Sequence, residues 1–219
     1  MPMTIIYCYD AYCGWCYGFS NVIKKITEEY KDKFQFEVLS GGMILPETPQ
    51  PVSLIAPYIQ EVYKTVEERT GIKFGEDFLF HINRPEDSDW FPNSEKPAIA
   101  LCIFKEIYPE RAIEFASDLH YALNFEGRDL TDDEAYRHLL EKYDLEPDEF
   151  YAKLQDPVYK EKAYYEFQLV KQLKVDSFPQ VLLQISESKF YLIAKGYTDY
   201  ETLKNTLESI LIQIQSVQN

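Results

Sequence analysis

The chain has 219 residues, 46 % hydrophobic and 27 % charged, a balance that supplies one sizeable globular core. Its 37 acidic residues against 22 Lys and Arg leave a formal charge of −15, which repels phosphate backbones and argues against nucleic acid as a partner. No run approaches the roughly 18 apolar residues of a membrane span, and the opening "MPMTIIYCYD" lacks a signal peptide's basic n-region, so a cytoplasmic protein without membrane contact is expected.

Thr4 to Tyr9 form a short apolar, β-branched and aromatic run that suits a central strand. After Asp10-Ala11-Tyr12, residues Cys16, Phe19, Ile23, Ile26 and Tyr30 recur at three- and four-residue spacing, one face of a helix. Phe34, Phe36 and Val38 then alternate with polar residues as a second strand, so a parallel βαβ unit is expected. Gly41-Gly42 and Pro46, Pro49 and Pro51 break the pattern.

Helices are expected near 52–70, 94–107, 109–123, 132–142, 147–154 and 158–173, with Asn93 or Ser94 and Thr131 as N-caps. "QVLLQI" and "KFYLIAKG" around Ser186-Glu187-Ser188 read as an antiparallel hairpin, and residues 199–217 as a closing amphipathic helix. The order β-α-β … β-β-α is an α/β, thioredoxin-like fold with a large all-helical insertion. Residues 1–45 and 175–219 would form the thioredoxin-like domain and 46–174 the inserted helical domain.

Cys13-Gly14-Trp15-Cys16 stands at the start of the first helix. Two cysteines so spaced can hold a metal, cycle as a disulfide or pack in a core. A structural zinc site takes four ligands, and only Cys8, Cys102 and the scattered His81, His120 and His138 could complete one; no metal is expected. At the helix start, unpaired N–H groups and the macrodipole favour a thiolate, so the Cys13 pKa is expected below the free value of about 8.5. Cys16 begins the apolar stripe and should be the less exposed, resolving thiol. Cys13 would attack a substrate disulfide and Cys16 would release the mixed disulfide. Gly14 and Trp15 would border the substrate and tune the potential. Phe178-Pro179, just before the third strand, reads either as a plain strand-boundary proline or as a substrate-facing loop beside Cys13.

The "CGWCYGF" box, "SGGM" after the second strand, "FEGRDL" and "V-x-S-F-P" together resemble the DsbA-like thioredoxin family, closest to its FrnE-like cytosolic dithiol-disulfide isomerase branch. The resemblance implies that Cys13 is the nucleophile, Cys16 the resolving cysteine and Pro179 the cis-proline of the substrate groove, preceded by Phe178. Kappa-class glutathione transferases and 2-hydroxychromene-2-carboxylate isomerases of the same superfamily keep a single Ser or Cys, whereas this chain has both cysteines.

The expected activity is therefore thiol-disulfide exchange, as a protein dithiol-disulfide isomerase or reductase. It requires no cofactor and acts on disulfide-containing proteins or small thiols, glutathione among them. Two alternatives stand beside it: a glutathione-dependent kappa-type transferase or isomerase, and a redox-switched protein-binding module. Cys102 reads as core, Cys8 as a strand cysteine near the site, and Trp90 and Phe91 either as packing or as a groove lining.

Overall fold

β1 (Thr4–Tyr9) is buried along nearly its whole length, as a central strand covered on both faces must be. The computed structural model describes residues 3–218; residues 1, 2 and 219, counted in the expected outer domain, lie outside that range. β1 pairs in parallel with β2 (Gln35–Ser40) and antiparallel with β3 (Gln180–Ser186), which pairs antiparallel with β4 (Lys189–Lys195). The sheet order is β2-β1-β3-β4. β2 starts one residue later than its alternation suggests and runs on to Ser40.

Strand alternation divides β1 between two cores. Ile5, Tyr7 and Tyr9 join the large cluster that includes Cys16, Phe19, Ile23 and Ile26 of α1 (Gly14–Tyr30). Ile6 and Cys8 face the other way, toward Leu39, Leu182 and Val170. Val170 lies on α8 (Pro157–Gln172), so that helix covers the second face. The closing helix α9 (Tyr200–Gln218) packs Leu203, Leu207 and Ile210 into the large cluster.

Between β2 and β3 the chain is helical: α2 (Ala56–Thr70), α3 (Glu76–Asn83), α4 (Glu95–Ile107), α5 (Ala112–Asn124), α6 (Arg137–Lys142) and α7 (Pro147–Leu154) precede α8. Ala98, Leu101, Phe115 and Leu119 of this segment belong to the same continuous core as α1. α1 and α2 approach closely at Gly18, where an added Cβ would lie 2.6 Å from a Thr70 methyl carbon.

Several boundaries differ from expectation for local reasons. α3 was not expected; its N-cap is Gly75, which offers no side-chain capping bond. The helices expected from 52, 109 and 132 each open with a 3-10 turn, at Val52–Leu54, Pro109–Arg111 and Asp133–Tyr136. Ser94 holds the N-cap position of α4 without a side-chain capping bond, and Asn93 before it accepts from the Glu95 N–H at 2.8 Å. Thr131 is not a cap, because its hydroxyl donates to Asp129 at 2.8 Å, and Asp132 accepts from the Glu134 N–H instead. Among the described residues no helix is long and apolar enough to cross a membrane.

Candidate active site

β1 ends beside Asp10, whose carboxylate organises the turn into α1. Oδ1 accepts from the Tyr12 N–H (3.0 Å) and the Ser94 hydroxyl (2.9 Å), and Oδ2 accepts from the Met43 N–H (2.7 Å). Burial pushes the Asp10 carboxyl up, and these donors oppose that shift. The Asp10 carbonyl accepts from the Cys13 N–H at 3.0 Å and lies 2.9 Å from His120 Nε2. A carbonyl can only accept, so Nε2 carries the imidazole proton. The Ser20 hydroxyl donates toward the Cys16 carbonyl at 3.2 Å and shares its proton with Nδ1, which lies 3.3 Å away. His120, from α5, thereby ties the helical segment to both ends of the Cys-x-x-Cys turn. Its burial pushes the imidazole pKa down to about 4.

Cys13 is the N-cap of α1, with extended φ and ψ of −84° and 106°, so it stands just outside the helix. Its sulfur receives the Cys16 N–H at 3.3 Å, and its thiol donates to the Phe178 carbonyl at 3.5 Å. The first turn of α1 has no acidic side chain, so its positive end meets Cys13 unopposed. The asymmetry between the sulfurs is narrower than expected: Cys13 is 6 % exposed and Cys16 is fully buried. The Phe178 loop lies over Cys13 and accounts for that small opening. Burial and the adjacent Cys13 push the Cys16 thiol well above its usual range. Both cysteines are free thiols.

The remaining predicted residues gather here. Gly14 is half-buried against the Phe74 ring, and the half-buried Trp15 lies 6.3 Å from the Tyr197 ring, with the Arg69 guanidinium 5.9 Å over its indole. The Phe178–Pro179 peptide bond is cis, Pro179 is buried, and its carbonyl accepts from the Gly196 N–H at 2.8 Å. The Phe178 ring closes over Gly41, where an added Cβ would lie 2.0 Å from it.

Other candidates lie elsewhere. Trp90 is buried and stacks on His81 at 3.9 Å, whereas Phe91 is exposed. Cys8 points to the opposite face of the sheet, where burial and the Glu166 charge push its pKa up to about 12. Cys102 donates to Glu166 Oε1 at 3.4 Å and is likewise pushed up. Glu166 also accepts from Lys105 Nζ (2.8 Å) and the Ser40 N–H (2.9 Å), and Lys105 donates further to Val38 O and Glu37. Among the described residues no three His, Cys, Asp or Glu side chains converge on a metal position. Sequence reasoning gave Asp10, Ser20 and His120 no role beside the dithiol, although Asp10 adjoins the cysteine box; Gly41 entered it only as part of the SGGM motif.

A family model described as the DSBA-like thioredoxin domain matches residues 4–208. A candidate protein disulfide isomerase from Nitrosomonas europaea is 23 % identical, with a TM-score of 0.81 over 97 % of this chain and 99 % of its own. The cytosolic disulfide reductase DsbM from Pseudomonas aeruginosa is 22 % identical, with a TM-score of 0.75 over 96 % and 99 %. The same reductase with GSH gives 21 % and 0.73 over 95 % and 98 %. At these identities the likeness is one of fold. No curated protein sequence matches the chain.

Proposed function

The chain belongs to the DSBA-like thioredoxin domain family, and from that premise we propose that it is a thiol-disulfide oxidoreductase with Cys13 as nucleophile and Cys16 as resolving thiol. The observation that carries this reading is the double engagement of the Cys13 sulfur, with the Cys16 N–H on one side and the Phe178 carbonyl on the other. The Cys16 N–H and the helix end direct positive partial charge at the sulfur, while the Phe178 carbonyl accepts from the thiol until Cys13 reacts. Cys13 attacks one sulfur of the substrate disulfide, forms a mixed disulfide, and the other half leaves as a thiolate. Cys16 then attacks Cys13, releases the second half and closes the Cys13–Cys16 bond. The substrate gains two electrons and the dithiol loses them; two equivalents of a small thiol restore the dithiol and leave joined as their own disulfide.

Once Cys13 no longer holds its proton, the Phe178 carbonyl is free to accept from an extended substrate backbone. Gly14, Trp15 and Pro179 border that position. Glutathione is the small thiol we favour, because a neighbour of this fold has been solved with GSH. We place the chain in the FrnE-like branch on its motifs, with residues 46–174 as an inserted domain, and read it as a cytoplasmic reductase or isomerase.

Insulin reduction by wild type, Cys13→Ser and Cys16→Ser tests the reading. Cys13→Ser should lose turnover, and Cys16→Ser should lose it while accumulating a mixed disulfide visible by intact mass. Full turnover in Cys13→Ser would sink the proposal. Glutathione transfer retained by Cys16→Ser would favour the kappa-type alternative.

A further inference from the structure

The segment that closes α2 and follows it runs along the opening of α1 and is fixed there side chain by side chain. Thr70 sits against Gly18, and the Lys73 carbonyl accepts from the Tyr17 hydroxyl at 2.9 Å. A Cβ added to Gly14 would lie 3.4 Å from the Phe74 ring. Gly14, Tyr17 and Gly18 belong to the helix whose start carries the dithiol, so this segment forms a wall beside it. Arg69 stands at the head of that wall, exposed, with its guanidinium 5.9 Å over the indole of Trp15, the residue directly before Cys16.

The Arg69 side chain is free to take a partner. Among the described residues it makes no ion pair and no side-chain hydrogen bond. Glu67, on the same helical turn, is already engaged: its carboxylate accepts from Lys73 Nζ at 3.1 Å and from the Phe74 N–H at 3.0 Å. The first turn of α1 adds no acidic side chain to compete. A cation over a ring face is held through its charge, which leaves the guanidinium N–H donors for an acceptor. A chain with a formal charge of −15 repels an anionic substrate at long range. At about 0.1 M salt that field is screened beyond about 10 Å, so at contact a local cation decides.

We propose that Arg69 is a specificity-determining residue that binds a carboxylate carried close to the substrate disulfide, so that the favoured small substrates are dicarboxylic disulfides. Oxidised glutathione belongs to that class. The proposal rests on the dithiol reading above and adds a substrate class to it. Arg69 takes no part in the electron transfer. Cys13 Sγ still bonds to one substrate sulfur, and the other leaves as a thiolate with the electron pair of the broken bond. The guanidinium fork holds the carboxylate through charge-assisted hydrogen bonds and so brings the disulfide to the sulfur.

Dialkyl disulfides that differ in charge separate recognition from reactivity: dithiodipropionate is a dianion, 2-hydroxyethyl disulfide is neutral and cystamine is a dication. Reduced wild type, Arg69→Gln and Arg69→Lys are mixed with each, and the loss of free thiols is followed by quenched-flow maleimide capture and intact mass. Arg69→Gln should slow dithiodipropionate by about fivefold, leave 2-hydroxyethyl disulfide within about twofold and speed cystamine. Arg69→Lys keeps the charge and should lose less with the dianion than Arg69→Gln does. In wild type, raising salt from about 0.1 M to about 0.5 M should slow dithiodipropionate, whereas the bulk charge acting alone would speed it. Equal slowing of all the disulfides by Arg69→Gln overturns the proposal, because Arg69 would then act on Cys13 and not on the substrate. An unchanged dithiodipropionate rate in Arg69→Gln overturns it too, as does a wild-type rate that rises with salt. If Arg69→Gln does not fold, read by circular dichroism, Arg69→Lys and the wild-type salt series decide in its place. Wild type that reacts with none of the disulfides sinks the dithiol reading itself, a result that no property of Arg69 produces, since the neutral disulfide does not call on it.

Discussion

Cys13 and Phe178 are 165 residues apart in the chain, and the thiol of one donates to the carbonyl of the other at 3.5 Å. That carbonyl is held in place by its own side chain, whose ring fills the space over Gly41. A methyl group at residue 41 would have to displace the ring. Gly41→Ala should destabilise the fold by about 1–3 kcal/mol through overpacking. It should also lower kcat/KM for disulfide reduction by about tenfold, because the Phe178 carbonyl moves off Cys13. Urea denaturation and steady-state kinetics check the two effects; unaltered kinetics would show that the carbonyl position is not used.

Lys105 is 18 % exposed at its side chain and Glu166 is 8 % exposed, and together they close the space between α4, α8 and β2. Removing the cation alone leaves the Glu166 carboxylate buried without its charge partner. Lys105→Met should cost about 3–5 kcal/mol in denaturant titration. Lys105→Met with Glu166→Gln should cost clearly less, since the amide oxygen can still accept from the Ser40 N–H. Equal losses in the single and double variants would exclude this account.

His120 sets a pH dependence with a definite sign. Its pKa is pushed from the ordinary 6.5 down to about 4 by burial. Between those values the unfolded chain binds the proton and the folded chain does not. The stability it contributes is therefore full above about pH 6.5 and falls as pH drops toward 4. His81 and His138, also lowered by burial, act in the same sense, and Asp10, raised by burial, acts in the opposite sense. The His120 share is read by difference: the stability lost between pH 7 and about pH 4.5 should shrink by about 2 kcal/mol in His120→Gln.

The four cysteines should separate by reactivity. Only Cys13 combines an opening to solvent with a helix end and an N–H directed at its sulfur. Cys8 and Cys16 are fully buried, Cys102 donates to a carboxylate, and all three thiols are pushed up. Brief N-ethylmaleimide treatment of the folded, reduced protein should modify Cys13 first, with the other three reacting on unfolding. Peptide mass mapping reads this directly; early modification of Cys8 would contradict its burial, and early modification of Cys102, 5 % exposed against 6 % for Cys13, would contradict the hold of Glu166 on its proton.

What the sequence revealed followed from periodicity. β1 and α1 each bury one kind of pattern, so their positions and the pairing of Cys13 with Cys16 were legible. α3 was not, because Gly75 gives it no side-chain start signal. Ser94 stood where a cap was expected, yet its hydroxyl is directed to Asp10, a choice visible only once the two elements meet. The places of Gly41 and His120 were hidden for the same reason. One looks like a turn glycine and the other like a helix histidine until elements from distant parts of the chain come together around them.

The strand order β2-β1-β3-β4 has a consequence for the order of synthesis. β3 pairs with β1 directly, and Phe178 immediately precedes β3. A ribosome therefore delivers Cys13 and Cys16 before the helical segment, and their covering backbone only after that segment has emerged. Through most of translation Cys13 lacks the Phe178 loop that shields it in the finished molecule. Its protection from stray oxidants is a late event in the life of each new chain.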